Sequence, residues 1–343
     1  MNNWRITLAV ENQEPGGQLE YDFGDGQETN SSPGMPGQKL ALITHPDYYN
    51  FTGNTGTWAM NQYQNALKEL QEKHGIQDLD IVQPELATRE DAALVHTPRY
   101  VWDVFGPTNR SKHHAWSGGP WDKTAQAAVL RSTGGMLRAN QEAMQRGVAV
   151  QMYDAFHHAY PGHGEGFCVL NDIAIAAKKL SHQGKRVMVV DTDVHQGQGT
   201  AVCTKGDTNI YTLSTHEREN YPGYKEHSSQ DVELEYHVTD QEYLGLLENA
   251  LVKAVQEFGK PDLVMYVAGT DLYGGDKLSH TRVTIAGIRQ RDAMVLRFFG
   301  SQGVPVSVSV PQGYAENPRD SVTMIKNTVM ESRKALQTYY GKS

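Results

Sequence analysis

Short apolar runs recur from residue 39 onward, at 39–45, 148–154, 187–191, 209–215, 263–269 and 304–310. Each has the length of a buried strand. Between most of them the apolar positions fall at helical spacing. In "TWAMNQYQNALKELQEKHG", Trp58, Tyr63, Leu67 and Leu70 share one side. "TAQAAVLRSTGGMLRANQEAMQRG", "DIAIAAKKLSHQG", "QEYLGLLENALVKAVQEFG" and "TIAGIRQRDAMVLRFFGSQG" repeat the pattern, and several close on the glycine that commonly stops a helix. Strands alternating with helices predict an α/β fold: an open, mostly parallel sheet flanked by helices on both faces. Upstream, Trp4, Ile6, Leu8 and Val10 alternate with polar residues before a stretch rich in Gly, Pro and Ser. Residues 1–38 are read as an N-terminal extension of strand and loop, a lid or an interface, and 39–343 as a single domain.

In such sheets ligands gather beyond the carboxyl ends of the strands. "VAVQMYDAFHH" carries His157 and His158 there, "VMVVDTDVHQGQG" Asp191, Asp193 and His195, "LVMYVAGTD" Asp271, and "VPVSVSVPQGY" Tyr314. A capping acid or a solvated loop histidine accounts for any one of these. Four strands delivering such groups to one edge point instead to a shared site. Alternation along a strand places Asp191, Asp193 and His195 on one face, and adjacent acids repel unless something positive lies beside them. Asp193, His195 and Asp271 offer two carboxylates and an imidazole, a donor set for Zn²⁺, Fe²⁺, Mn²⁺ or Co²⁺ that leaves a position open. The histidine pair would supply the base that hydrolysis needs. A second pair, His113 and His114, sits in a polar stretch and is read as surface.

Composition narrows the partners. The formal net charge is −9, which argues against non-specific nucleic-acid binding. Two cysteines, Cys168 and Cys203, form no disulfide framework, and both are read as buried and inert. No signal peptide or membrane span is visible, so a soluble, cytoplasmic protein is expected.

With these residues in view, the chain resembles the zinc-dependent histone deacetylase family of the arginase–deacetylase superfamily, closest to its class IV-like bacterial members. The resemblance runs from about residue 39 to about 335 and rests on "FHHAYPGHGEGFCVLNDIAIAA", "VMVVDTDVHQGQGTA", "YVAGTDLYGGDKL" and "QGY", with "HTPRYVWDV" and "STGGML" beside them. It implies a zinc-dependent deacylase that removes acetyl or other acyl groups from lysine side chains. Asp193, His195 and Asp271 match the zinc ligands, with Fe²⁺ the alternative metal. His158 matches the general base and then acid that activates the zinc-bound water. His157 matches its electrostatic neighbour, and Asp191 the carboxylate that orients His157. Tyr314 matches the donor to the oxyanion. Gly166, Phe167, Tyr221 and Leu278 match walls of the acyl-lysine tunnel. Structural K⁺ is implied beneath the zinc, held around Asp191, Asp193, His195 and Ser214. The expected partners are an acylated lysine peptide or protein, or an acylated small amine. Neither nucleic acid nor membrane is expected, and a homo-oligomer is left open.

The chain departs from the family at three places. Gln198 stands where an aspartate, or in class IV an asparagine, backs the second histidine, and a neutral amide leaves His158 less basic. Pro311 and Gln312 replace consecutive glycines before Tyr314. Asp154 and Ala155 replace the double glycine before the histidine pair. Two rival readings follow: an amidohydrolase acting on acylated polyamines, and a catalytically impaired metal-binding homologue that acts as a binding protein. His216 is read as a loop histidine near the mouth, or a substrate contact.

Overall fold

The computed structural model describes residues 38–49, 61–72, 79–108 and 121–341. Eight parallel strands run through it: β1 (Leu40–Ile43), β2 (Leu79–Val82), β3 (Val148–Gln151), β4 (Val187–Asp191), β5 (Ile210–Glu217), β6 (Gln230–Leu234), β7 (Leu263–Val267) and β8 (Val306–Ser309). They form one sheet in the order β2-β1-β3-β8-β7-β4-β5-β6. Every pairing is parallel, from β1 against β2 to β5 against β6. The six apolar runs read from the sequence are six of these strands. The other two, β2 and β6, are the edges, and their mixed sequences "LDIV" and "QDVEL" lack the continuous apolar signal of a strand buried on both faces.

Alternation along the strands divides the core into two clusters. Leu40, Leu42, Val148, Val150, Met188, Val190, Val264, Val306 and Val308 face one side, with Tyr63, Leu70, Leu247, Leu251, Val295, Phe299, Ile325 and Val329 packed there. Those partners lie on α1 (Asn61–Glu72), α7 (Asp240–Phe258), α8 (Ile285–Gly300) and α9 (Pro318–Ala335). Ala41, Ile43, Ala149, Val187, Val189, Leu263 and Met265 face the other side. They meet Met136, Ala139 and Ala143 of α4 (Lys123–Arg146) and Ile173, Ala176 and Leu180 of α5 (Asp172–Ser181). Shorter helices α2 (Arg89–Ala92), α3 (Pro98–Phe105) and α6 (Gln198–Thr204) complete the described fold. Among the described residues no helix is long and apolar enough to cross a membrane. Residues 1–37 of the extension, Trp58 and the pair His113–His114 lie outside the described residues.

Candidate functional site

The loops that follow β3, β4, β7 and β8 meet at the carboxyl edge, around one cavity of about 410 Å³. His157, His158, Asp193, His195, Asp271 and Tyr314 line it, and so do the tunnel positions Gly166, Phe167, Tyr221 and Leu278. Asp191 and Gln198 stand behind that lining, each hydrogen-bonded to one histidine.

One expectation about this edge is corrected. Asp191, Asp193 and His195 do not share a strand face, because β4 stops at Asp191. The aspartates themselves turn the chain. Asp191 Oδ1 accepts from the Asp193 amide at 3.2 Å, and Asp193 Oδ1 from the His195 amide at 2.9 Å. Carboxylates that bond backbone two residues on build turns in place of a ladder. The turn carries Asp193 and His195 towards Asp271, whose Oδ1 accepts from the Val194 amide at 3.1 Å.

Ligand atoms of Asp193, His195 and Asp271 all lie within 4.8 Å of one another. His195 Nδ1 sits 3.0 Å from both Asp193 Oδ1 and Asp271 Oδ2. Burial and the adjacent Asp193 charge push the Asp271 carboxyl up to about 6. Burial alone would lower the His195 imidazole, yet its bonds to the two carboxylates raise it to about 10. Two buried acids that compete for one proton call for a cation between them, and oxygen and imidazole donors at this spacing fit a divalent metal.

The histidine pair is wired in series. Asp191 Oδ2 lies 2.8 Å from His157 Nδ1, the two histidine Nε2 atoms lie 3.0 Å apart, and His158 Nδ1 lies 2.6 Å from Gln198 Oε1. Burial opposes charge on His157, but the Asp191 and Asp193 carboxylates outweigh it and raise the imidazole to about 9. Burial, together with the positive charges of His157 and His195, holds His158 well below the usual imidazole range. With those directions every contact is satisfied: a cationic His157 donates from both nitrogens, to Asp191 and to the His158 Nε2 lone pair, and a neutral His158 donates from Nδ1 to Gln198.

Gly166 must be glycine at this wall. Its φ is +53°, and a Cβ there would lie 2.6 Å from His158 Cδ2. Phe167 also takes a positive φ, 65°, uncommon for a bulky residue. His216 is neither a loop residue nor a substrate contact. It is fully buried on β5, with Nδ1 3.0 Å from Ser214 Oγ, because β5 continues to Glu217. Cys168 and Cys203 are buried thiols, as expected.

Several supporting residues escaped the sequence reading. Asn171 caps α5 and donates from Nδ2 to the His157 and Ala159 carbonyls, while Asp172 Oδ1 accepts from the Phe156 amide. Asn-Asp just before an apolar helical pattern was the available signal. Asp276 accepts from the Leu278 amide at 2.8 Å and from the Tyr314 amide, tying the loop after β7 to the one after β8. Arg291 lies fully buried on α8 and donates to the Gly269 carbonyl at 2.6 Å and the Thr192 carbonyl at 3.4 Å. It thereby holds the loops after β4 and β7 from below, and no local pattern announces it.

Fold and donor set together define a parallel α/β protein with a candidate metal centre at the carboxyl edge of its sheet. The histone deacetylase domain family matches residues 58–328, and the chain belongs to that family. It is 35% identical over 283 residues to an uncharacterized protein of Picosynechococcus, covering 82% of this chain and 94% of that protein. It is 30% identical to histone deacetylase 2 of Arabidopsis thaliana, over 71% of this chain and 65% of the plant protein. To the acetoin utilization protein AcuC of Staphylococcus aureus it is 31% identical, over 60% of this chain and 58% of that protein. The chain thus spans slightly less than two thirds of the last two. The crystal structure of the HDA15 HD domain superposes with a TM-score of 0.73, covering 87% of this chain and 91% of that one, and at 20% identity that likeness speaks for the fold.

Proposed function

We propose that the chain is a metal-dependent deacylase that hydrolyses the amide of an acylated lysine side chain. The observation that carries this reading is the histidine pair, its Nε2 atoms 3.0 Å apart, lining the same cavity as the Asp193–His195–Asp271 set. Asp193, His195 and Asp271 would hold the metal, zinc by analogy with the family and Fe²⁺ as the alternative. A divalent ion there supplies Lewis acidity, polarising the acyl carbonyl and making water a better nucleophile near neutral pH. Once the attacking water displaces the His157 N–H from it, the lone pair of His158 Nε2 takes the proton of that water, and the same nitrogen returns a proton to the departing amine. His157, kept cationic by Asp191, keeps His158 neutral and ready to accept. The Tyr314 phenol donates to the carbonyl oxygen as it gains negative charge. Gly166, Phe167, Tyr221 and Leu278 form the walls along which the lysine stem enters. A structural K⁺ under the Asp191–His195 turn belongs to the same reading, supported by the register pairing of Asp191 with Ser214.

Asp193→Asn tests it. The variant should lose stoichiometric zinc and, with it, turnover of a fluorogenic acetyl-lysine peptide. Activity retained at the level of the parent chain would sink the assignment.

A further inference from the structure

β8 stops at Ser309, and Pro311 has no amide hydrogen to carry a ladder onward. The next three amides all donate nonetheless, each to a side chain. The Gln312 amide reaches Asp154 Oδ1 at 2.9 Å, the Gly313 amide reaches Thr270 Oγ1 at 2.7 Å, and the Tyr314 amide reaches Asp276 Oδ2. Three consecutive residues are thus held from two other loops, those after β3 and β7. Asp154, Thr270 and Asp276 are all buried, and each is fixed in its turn. Asp154 Oδ1 also accepts from the hydroxyl of Tyr63, a fully buried residue of α1, at 2.8 Å. The Thr270 hydroxyl donates to the Pro311 carbonyl at 3.2 Å, and the Thr270 amide donates to the same carbonyl at 2.9 Å. Asp276 Oδ1 is engaged by the Leu278 amide at 2.8 Å, while the Lys277 amide donates to the Tyr314 carbonyl at 3.3 Å. A Cβ on Gly313 would lie 2.8 Å from Asp271 Cα, so the segment packs directly on the backbone of the candidate metal site.

We infer that Asp154, Thr270 and Asp276 are positioning residues that set the aim of the Tyr314 phenol, Asp276 acting on the tyrosine's own backbone. The inference rests on the deacylase reading, in which that phenol donates to the oxyanion. Such a donor works only when aimed at the place where charge develops, and a misplacement of ~1 Å costs ~10²-fold in rate. A tyrosine on a loop without backbone partners would wander by more than that. Here the backbone beneath the side chain is fixed at three successive amides by buried bonds, which are costly to leave unmade. Asp154 and Gln312 are two of the places where the sequence departs from the family. Together they make one of the three bonds, so the departures hold Tyr314 in place instead of releasing it. Asp276 reaches further than the other two. Its second oxygen holds Leu278 at the mouth, so one carboxylate spans the tunnel wall and the oxyanion donor.

The test uses the metal-loaded full chain, a fluorogenic acetyl-lysine peptide and two variants, Asp276→Asn and Asp154→Ala, each made alone and together with Tyr314→Phe. A carboxamide at 276 can accept from only one of the two amides that the carboxylate holds. Asp276→Asn should therefore lower kcat by roughly 10- to 100-fold, the worth of a donor displaced by up to ~1 Å, with KM and zinc stoichiometry unchanged. Asp154→Ala frees the Gln312 amide and should lower kcat by roughly 10-fold, and it gives the reading if the Asn variant folds poorly. Both residues act through the phenol. Combined with Tyr314→Phe, each should change the residual rate by less than about twofold. Losses as large in the Tyr314→Phe background as in the parent chain would mean a general disturbance of the fold or the metal site, and they overturn the inference. A kcat that neither single variant moves overturns it too. Both of those results leave the parent's turnover, and with it the deacylase reading, in place. A parent chain that turns over no acyl-lysine peptide, or a Tyr314→Phe variant as fast as the parent, overturns the role of Tyr314 and this inference together.

Discussion

Between His157 and His158 the two Nε2 atoms are 3.0 Å apart, a distance at which one ring must donate a proton and the other accept it. Asp191 decides which ring owns it by stabilising charge on His157, and Gln198, being neutral, gives His158 no matching support. In the proposed reaction His158 serves as the base, which it can do only when uncharged. With its pKa held below the usual imidazole range, the acid limb of kcat/KM should therefore lie below pH 6.5. Gln198→Asp places a negative charge on the same nitrogen, favours the imidazolium and should move that limb up by about one pH unit or more. A pH profile from 4.5 to 8 in both chains reads the shift, and an unmoved limb would mean that another group titrates. The sequence displayed the participants here because ionisable groups at the ends of apolar runs stand out against their surroundings. It did not display Asn171 or Asp276, whose polar atoms serve backbone groups of distant loops, a relation that exists only once the chain is folded.

At the scale of elements, the site depends on how strands end. β4 ends because Asp191 and Asp193 bond to the backbone ahead of them, and that turn brings Asp193 and His195 to Asp271. Pattern reading named residues that the fold does bring together, but through an incorrect geometry, since period-two alternation had no strand to act on. Helix α8 supports the same loops from beneath. The Arg291 guanidinium bonds Asp292 Oδ1 at 2.8 Å, while Tyr266 and Thr328 complete the Asp292 carboxylate at 2.6 and 2.7 Å. Arg291→Met removes one member of a fully buried pair and leaves Asp292 uncompensated. Urea unfolding should show a loss of about 3–5 kcal/mol. A loss under 1 kcal/mol would contradict the structural weight given to the pair. Central strands were legible because burial on both faces leaves a continuous apolar run. Edge strands β2 and β6 were not, since half-exposed sequences of four and five residues resemble loops.

At the scale of the whole molecule, buried neutral histidines set a limit on acid stability. His96 accepts from the Asn171 amide at Nε2 and donates from Nδ1 to the Tyr160 carbonyl, both at 3.0 Å. Burial lowers its pKa to about 4. The unfolded chain takes up a proton near pH 6.5 that the folded one refuses until about 4, so this contribution is complete above 6.5 and declines as the pH falls through that window. Between pH 7.5 and 5 the parent chain should lose about 2 kcal/mol more unfolding free energy than His96→Gln. Any loss of metal on acidification is shared by the two chains and cancels in the difference. Equal losses would show that His96 is charged in the fold.

The sheet order has a further consequence, for the time course of synthesis. β8 is the last strand to leave the ribosome, yet it lies between β3 and β7 in the middle of the sheet. Until residue 309 is available, the nascent chain can assemble only two separate half-sheets, β2-β1-β3 and β7-β4-β5-β6, each with an open inner edge that invites wrong pairing. The candidate metal site of Asp193, His195 and Asp271 and the histidine pair then sit on different halves. A partly made chain therefore holds every ligand and both histidines without a cavity for them to share. The shared cavity arrives in one late step, when the central strand joins the halves and brings Tyr314 with it.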